Sequence, residues 1–394
     1  MKKQISSLLN FLPIFNPKKA TNFCSNGFLT LGAEVELQLI DRDSLNLTPR
    51  AKELLEIALP LSKKIKEEFY LSTLEINTDK CNNAHEIEAD LSESFDLITK
   101  ISNQLKIDLA TKGCHPFSRY SDCVITPSNR YNELIDRNQW LTRRMTVYGL
   151  HVHLGMKSGD EAIRFNNFFL NFIPHLLALS ASSPFWQGDD TGLSSCRPTT
   201  YESLPTAGHP YSVKNYAEFK HLYATLVKCK SINSLKDLWW DIRVSPAFGT
   251  LEIRICDGLA TLSETLAIVA FIHLLAHWFS DNASWLNQVP TSPIWFAREN
   301  KWRAIRHGLE ADLVVNLDGE TKPIKLDILQ WLEKLMPYQN KLGYKKYVDD
   351  LSDIITKGSS TARQRNIYAK TNSLKDVAKF NVEEFLARKP TWLS

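Results

Sequence analysis

The chain has 394 residues, of which 43% are apolar, including 10 Trp and 19 Phe, so it can build the core of one large domain or two ordinary ones. Its formal charge of +3 comes from 47 basic and 44 acidic residues spread along the chain, which leaves no basic stripe and excludes nucleic acid as an expected partner. Seven scattered cysteines with no CxxC pair argue against a disulfide framework or a zinc knuckle and point to a reducing cytoplasm.

Residues 1–27 read as an amphipathic or disordered extension: Asn10 and Pro13 interrupt the short apolar part, and no small-residue cleavage site follows. The first strand is expected from Phe28 to Asp41. Successive side chains of a strand point to opposite faces, so Leu31, Ala33, Val35, Leu37 and Leu39 lie opposite Gly32, Glu34, Glu36 and Gln38. Pro49 opens a helix through AKELLEIALPLSKKIKEE. A second strand, Tyr70 to Asn77, sets Glu75 and Asn77 against Leu74 and Ile76. A long helical pattern then runs from His85 to a stop at Gly113, and residues 114–137 are mixed and loop-like.

In YGLHVHLGM, Gly149, His151, His153 and Gly155 oppose Leu150, Val152, Leu154 and Met156. Ser158 and Glu161 fit a capping box before a helix from Asp160 to Ser180. Residues 182–212 are rich in Gly, Pro, Ser and Thr, and long loops inside compact domains are usually lids or binding loops. Trp186, Arg197, Tyr201 and Thr206 are therefore candidate substrate contacts. After a helix over 216–228, two extended stretches join at Ser245-Pro246, the second placing Thr250, Glu252 and Arg254 opposite Leu251, Ile253 and Ile255.

Thr261 and Glu264 form another capping-box match, ahead of an apolar run from Leu266 to Phe279. That run is too short to cross a bilayer and reads as a core helix, with His273 and His277 as core histidines, so no membrane is expected. Ser292-Pro293 starts a helix closed by Gly308 and carrying Arg298, Arg303 and Arg306. The remainder reads as helices with polar connections. No repeat or clear linker divides residues 28–394, which are taken as one domain.

If the four strands share one sheet whose apolar face is covered by helices, the other face gathers Glu34, Glu36, Glu75, Glu252, His151, His153 and Arg254. Carboxylates removed from water need a positive partner. Magnesium is the natural choice because hard cations prefer carboxylate oxygens, and an imidazole ligand would favour manganese somewhat. Metals with an arginine on a sheet floor suit phosphoryl transfer. There is no GxxxxGK[ST] and no GxGxxG, and HEIEA lacks the second His of a zincin. A zinc hydrolase built on the HVH pair and a non-catalytic nucleotide-binding protein are the competing readings.

The segments GAEVELQL, LEINTDKC, GLHVHLG, LALSASSPFWQGDDTG, LPTAG, FGTLEIRICD, RENKWRAIRHGL and ARQRNIY, in this order, resemble the glutamate-cysteine ligase family 2, the carboxylate-amine ligases. The resemblance implies an α+β, glutamine-synthetase-like fold, with a curved, largely antiparallel sheet and helices on its convex face. It implies ATP-dependent amide formation through an acyl phosphate, by default between L-glutamate and L-cysteine, and a homodimer. It carries metal binding onto Glu34, Glu36, Glu75, His151 and Glu252, and phosphate contact onto Arg254. His153 is assigned to the nucleotide or to support of the metal ligands, and Arg197 to the substrate carboxylate. Relatives often read GxEEEF where this chain has Val35, which sits on the apolar side of the strand.

Overall fold

The computed structural model describes residues 20–287 and 293–392. Its centre is a seven-stranded sheet formed by β1 (Leu31–Asp41), β2 (Ile65–Glu67), β3 (Thr73–Asn77), β4 (Ile107–Ala110), β5 (Leu150–Gly155), β6 (Ile242–Ser245) and β7 (Thr250–Ile253). The spatial order is β6-β7-β5-β1-β3-β2, with β4 paired to the last residues of β1, and every pairing is antiparallel.

Alternation along β1 decides which face is covered. Leu31, Ala33, Val35, Leu37 and Leu39 are each at most 2% exposed, whereas Glu34 and Glu36 keep partial exposure. Helices Ala84–Gln104, Gly159–Phe169 and Leu262–Asp281 pack behind the sheet, and their apolar residues join those of the strands in one continuous core. Helix Leu262–Asp281 is by length and composition apolar enough to span a bilayer, but 89% of its apolar window is buried inside the fold. His273 is a satisfied core residue, bonded through Nδ1 to the Tyr344 hydroxyl at 2.8 Å and through Nε2 to the Leu29 carbonyl at 2.9 Å.

Several boundaries differ from the sequence reading. The helix expected after Pro49 is only Ala51–Ala58, since Pro60 cannot continue it, and Ile65–Glu67 becomes an edge strand. The long helix ends at Gln104, not Gly113: Lys106 takes φ +56° and turns the chain into β4. The segment read as loop contains helix Asn129–Asn138. The helix of 160–180 is divided by a 3₁₀ turn, Leu170–Phe172, with Pro174 in the first turn of the second piece. Ser292 lies outside the described residues, and the helix after it, Ile294–His307, ends at Gly308 with φ +57°.

Of the extension, residues 1–19 lie outside the described residues. Residues 20–27 pack on the domain: the Cys24 N–H donates to the Pro246 carbonyl (3.0 Å), and the Ser25 hydroxyl to the Met156 carbonyl (2.8 Å).

A buried ion cluster anchors the C-terminal helices under the sheet. Lys112, just after β4, donates to Glu384 at 2.7 Å. Arg363 donates to Glu384 at 2.6 Å and to Glu264 at 2.8 Å, and all four side chains are at most 3% exposed.

Candidate active site

Register brings the charged residues together. Glu34 is opposite His151 on β5 and Asn77 on β3, Glu36 is opposite Glu75, and Glu252 on β7 is opposite His153. Glu34 accepts hydrogen bonds from both imidazoles, at 3.0 Å from His151 Nδ1 and 3.2 Å from His153 Nε2. His153 Nδ1 also meets the Thr250 hydroxyl at 2.9 Å. Oxygen and nitrogen donors converge in three groups: Glu34, Glu75 and His151; Glu34, His153 and Glu252; Glu36, Glu68 and Glu75. Carboxylate-rich groups, two of the three with one imidazole and the third with none, suit magnesium or manganese rather than a histidine-based zinc centre, so the donor set fits the expected cation.

Electrostatics repeats the same demand. Burial alone would push Glu34 up, yet hydrogen bonds from His151 and His153 hold it well below the usual carboxylate range. Glu75 is pushed well above that range by burial and by its neighbours Glu34 and Glu68. Burial, aided by Glu68, raises Glu36 to about 7. His151 is lowered to about 4 by burial and by Arg254, which leaves a neutral imidazole at physiological pH. Glu252 stays ionised despite burial because Arg243 and Arg254 both grip it, Arg243 at 2.7 Å.

A testable consequence concerns Glu36. A carboxyl raised in the folded state binds a proton that the unfolded chain has already lost, so its stabilising contribution is complete below about 4.5 and is lost as pH rises towards about 7. Glu36→Gln is therefore expected to stabilise the metal-free protein relative to the parent more at pH 8 than at pH 5, and to shrink the rise in Tm on adding Mg²⁺ or Mn²⁺. Thermal melts of both proteins in EDTA at the two pH values check this. A difference that does not grow with pH contradicts it.

The residues surround a cavity of about 390 Å³. Glu34, Glu36, Glu75, His151, Arg254, Arg197 and Tyr201 line it. Arg197, 5% exposed, donates to the carbonyls of Ile255 and Arg254, both at 3.2 Å, and its buried Nε has no protein partner. A Cβ on Gly149 would stand 2.3 Å from Arg197 Nη2, so the glycine of the YGLHVHLG strand is what admits this side chain. The Tyr201 ring lies 5.1 Å from the Arg197 guanidinium, and its hydroxyl donates to Asp241 at 2.6 Å.

Two expected substrate contacts are held elsewhere. Trp186 pairs with Asp189 in a small hairpin, and the Thr206 hydroxyl donates to the Asp237 carbonyl at 2.5 Å; neither is among the described residues lining the cavity. Sequence reasoning missed Arg243, Glu68 and the wall formed by Arg130, Tyr131 and Leu134. Arg243 had a signal: in DIRVS it alternates with Ile242 and Val244 and falls opposite Glu252 across the hairpin. Glu68 had none, since it follows a three-residue edge strand read as helix.

Two solved structures share the fold. A bifunctional glutathione synthetase from Pasteurella multocida superposes with TM-score 0.64 at 17% identity, covering 91% of this chain and 52% of that one. A glutamate–cysteine ligase from Francisella tularensis, solved in complex with AMP, gives 0.61 at 14% identity, covering 95% and 91%. The fold is glutamine-synthetase-like, and the family match over most of the chain defines the class, an ATP-dependent carbon–nitrogen ligase. Within that class the chain belongs to the glutamate-cysteine ligase family 2, which it matches over residues 30–379. Relatives named "Putative glutamate--cysteine ligase 2" include one from Bdellovibrio bacteriovorus, 42% identical over 90% of this chain and 94% of its own, and one from Thermobifida fusca, 39% identical over 95% and 94%.

Proposed function

We propose that this ligase forms a γ-glutamyl-type amide through an acyl phosphate, with L-glutamate as the donor and an amino-acid amine, by default L-cysteine, as the acceptor. The observation that carries the reading is that Glu34, Glu75 and His151 converge on one cavity beside Arg254, while Glu34 also groups with His153 and Glu252. These carboxylates and imidazoles would hold magnesium or manganese, which neutralises triphosphate charge when bound.

The chain's own groups do the rest. Arg254 and Arg243 present guanidinium groups to phosphate oxygens at the β6–β7 end of the sheet. Arg197 supports the donor: it lines the cavity, and its two Nη groups, each fixed by one N–H on a backbone carbonyl, keep a second N–H for a carboxylate. A second donor carboxylate attacks the γ-phosphorus, the bond to the bridging oxygen breaks, and ADP leaves. The amine nitrogen then attacks the acyl carbon, the C–O bond to phosphate breaks, and a proton passes from nitrogen to the departing phosphate. The cavity walls keep the acyl phosphate from water, which favours amide formation over hydrolysis.

Hydroxylamine trapping tests the mechanism. With ATP, Mg²⁺ and L-glutamate, hydroxylamine is expected to yield γ-glutamyl hydroxamate and one ADP per hydroxamate, without any other amine. ADP release that ignores every carboxylate would overturn the reading.

A further inference from the structure

The cavity lining is chemically uneven. At the β6–β7 side stand Arg243, Arg254 and Lys236, with the aromatic surfaces of Trp239 and Phe248 beside them. Elsewhere the lining is apolar: Phe69, which follows β2, with Tyr131, Leu134, Met145 and Val147, the last bridged to Cys114 just ahead of β5. Phe69 and Tyr131 meet edge to face at 5.2 Å, and Tyr131 and Leu134 are 8% and 7% exposed, so this wall is packed and pre-formed. Helix Asn129–Asn138 presents two of its members, and the Leu134 carbonyl is tied to the Thr142 hydroxyl at 3.2 Å. Glu36, Glu68 and Glu75 form one acid group in the same lining, with Lys66 opposite Glu75 on β2.

A triphosphate seeks the cationic end, where a purine also finds aromatic partners. The other end offers acid groups beside an apolar wall, which complements a molecule with an ammonium head and an apolar body. We infer that this end is the acceptor subsite and that it takes a primary amine with an apolar body of isoamyl to phenylethyl size in preference to small or purely polar amines. The inference rests on the ligase reading above and narrows it, replacing the cysteine of the relatives' names with a larger, more apolar acceptor. Arg130, exposed at the rim and 5.9 Å from the Tyr131 ring, leaves room for an acceptor that also carries a carboxylate.

The test separates this inference from the reading beneath it. Hydroxylamine is small enough to reach an acyl phosphate without the apolar wall, so hydroxamate formation from a carboxylate panel reports the ligase mechanism alone. With the best donor fixed, kcat/KM is then compared for methylamine, L-cysteine, isoamylamine, 2-phenylethylamine, L-leucine and L-phenylalanine. The expected result is at least tenfold higher kcat/KM for the apolar-bodied amines, in keeping with about fourfold per buried methylene. Hydroxamate formation with a flat or cysteine-favouring panel would overturn the acceptor assignment and leave the ligase mechanism standing. No hydroxamate from any carboxylate would remove both. Met145→Gln, at a partly exposed position, is expected to raise KM for the apolar amine more than KM for ATP. A rise in KM for ATP instead would give this wall to the purine and overturn the inference.

Discussion

Glu34→Gln is expected to lower ATP-dependent ligation on the order of 10³-fold or more while leaving the fold intact. Glu34 contributes to two of the three donor groups and is the acceptor for both imidazoles, so one substitution weakens two candidate cation positions at once. Loss of a single preorganised charge-stabilising group in an active site typically costs 10²–10³ in kcat, and a shared cation ligand stands at or beyond the upper end. Glutamine keeps the length and can still accept from His151 or His153, so Tm in EDTA should move little. Hydroxamate formation at saturating ATP and Mg²⁺ measures the effect. A variant retaining more than a tenth of parental activity would deny Glu34 its assigned role.

The largest expected effect on stability lies behind the sheet, at Arg363. Lys112, Arg363, Glu264 and Glu384 form a cluster of zero net charge that excludes solvent. Glu384 remains ionised in spite of burial because Lys112 and Arg363 flank it. Arg363→Met leaves a buried net negative charge and removes the link between the N-terminus of helix Leu262–Asp281 and the C-terminal helix, and breaking a buried pair from one side costs about 3–5 kcal/mol. Neutralising the whole cluster, with Lys112→Met, Arg363→Met, Glu264→Gln and Glu384→Gln together, is expected to recover much of that loss. Chemical denaturation of the single and quadruple variants compares them. A single variant within 1 kcal/mol of the parent would show that the cluster does not tie the C-terminal helices down.

The strands that carry the site were legible because a period of two writes both faces at once: Leu31, Ala33, Val35 and Leu37 specify the covered side, and Glu34 and Glu36 are then committed to the other. The same rule recovered Glu75, His151, His153 and Glu252, and antiparallel register converts those separate alternations into cross-strand neighbours. Helix ends were less legible. Pro60 shortened one helix, and a non-glycine residue with positive φ, Lys106, turned another into β4 where Gly113 had looked the natural stop. Gly113 instead serves a close approach, since a Cβ there would lie 2.6 Å from the Asp257 side chain.

The stretch 182–212, expected as a structureless loop, instead holds a small hairpin, a short helix and a two-residue strand, and its residues carry no period that says which ones face inward. Arg197 and Tyr201 reach the cavity from one short helix, Arg197–Tyr201, while Trp186 pairs with Asp189 inside the loop and the Thr206 hydroxyl is held on the Asp237 carbonyl. Glu68 was invisible for a related reason, since its importance comes from neighbours that folding supplies, Glu36 and Glu75; Arg243 had the alternation of DIRVS but not its partner Glu252.

Acids from β1, β3 and β7 and imidazoles from β5 are brought together on one sheet face, and we propose that they hold divalent cations against a triphosphate. Anomalous diffraction from crystals grown with Mn²⁺ and a non-hydrolysable ATP analogue tests it most directly. Manganese peaks ligated by Glu34 together with Glu75 and His151, or with His153 and Glu252, and bridged to phosphate oxygens, are the predicted result. A bound nucleotide with no manganese among these side chains would contradict it.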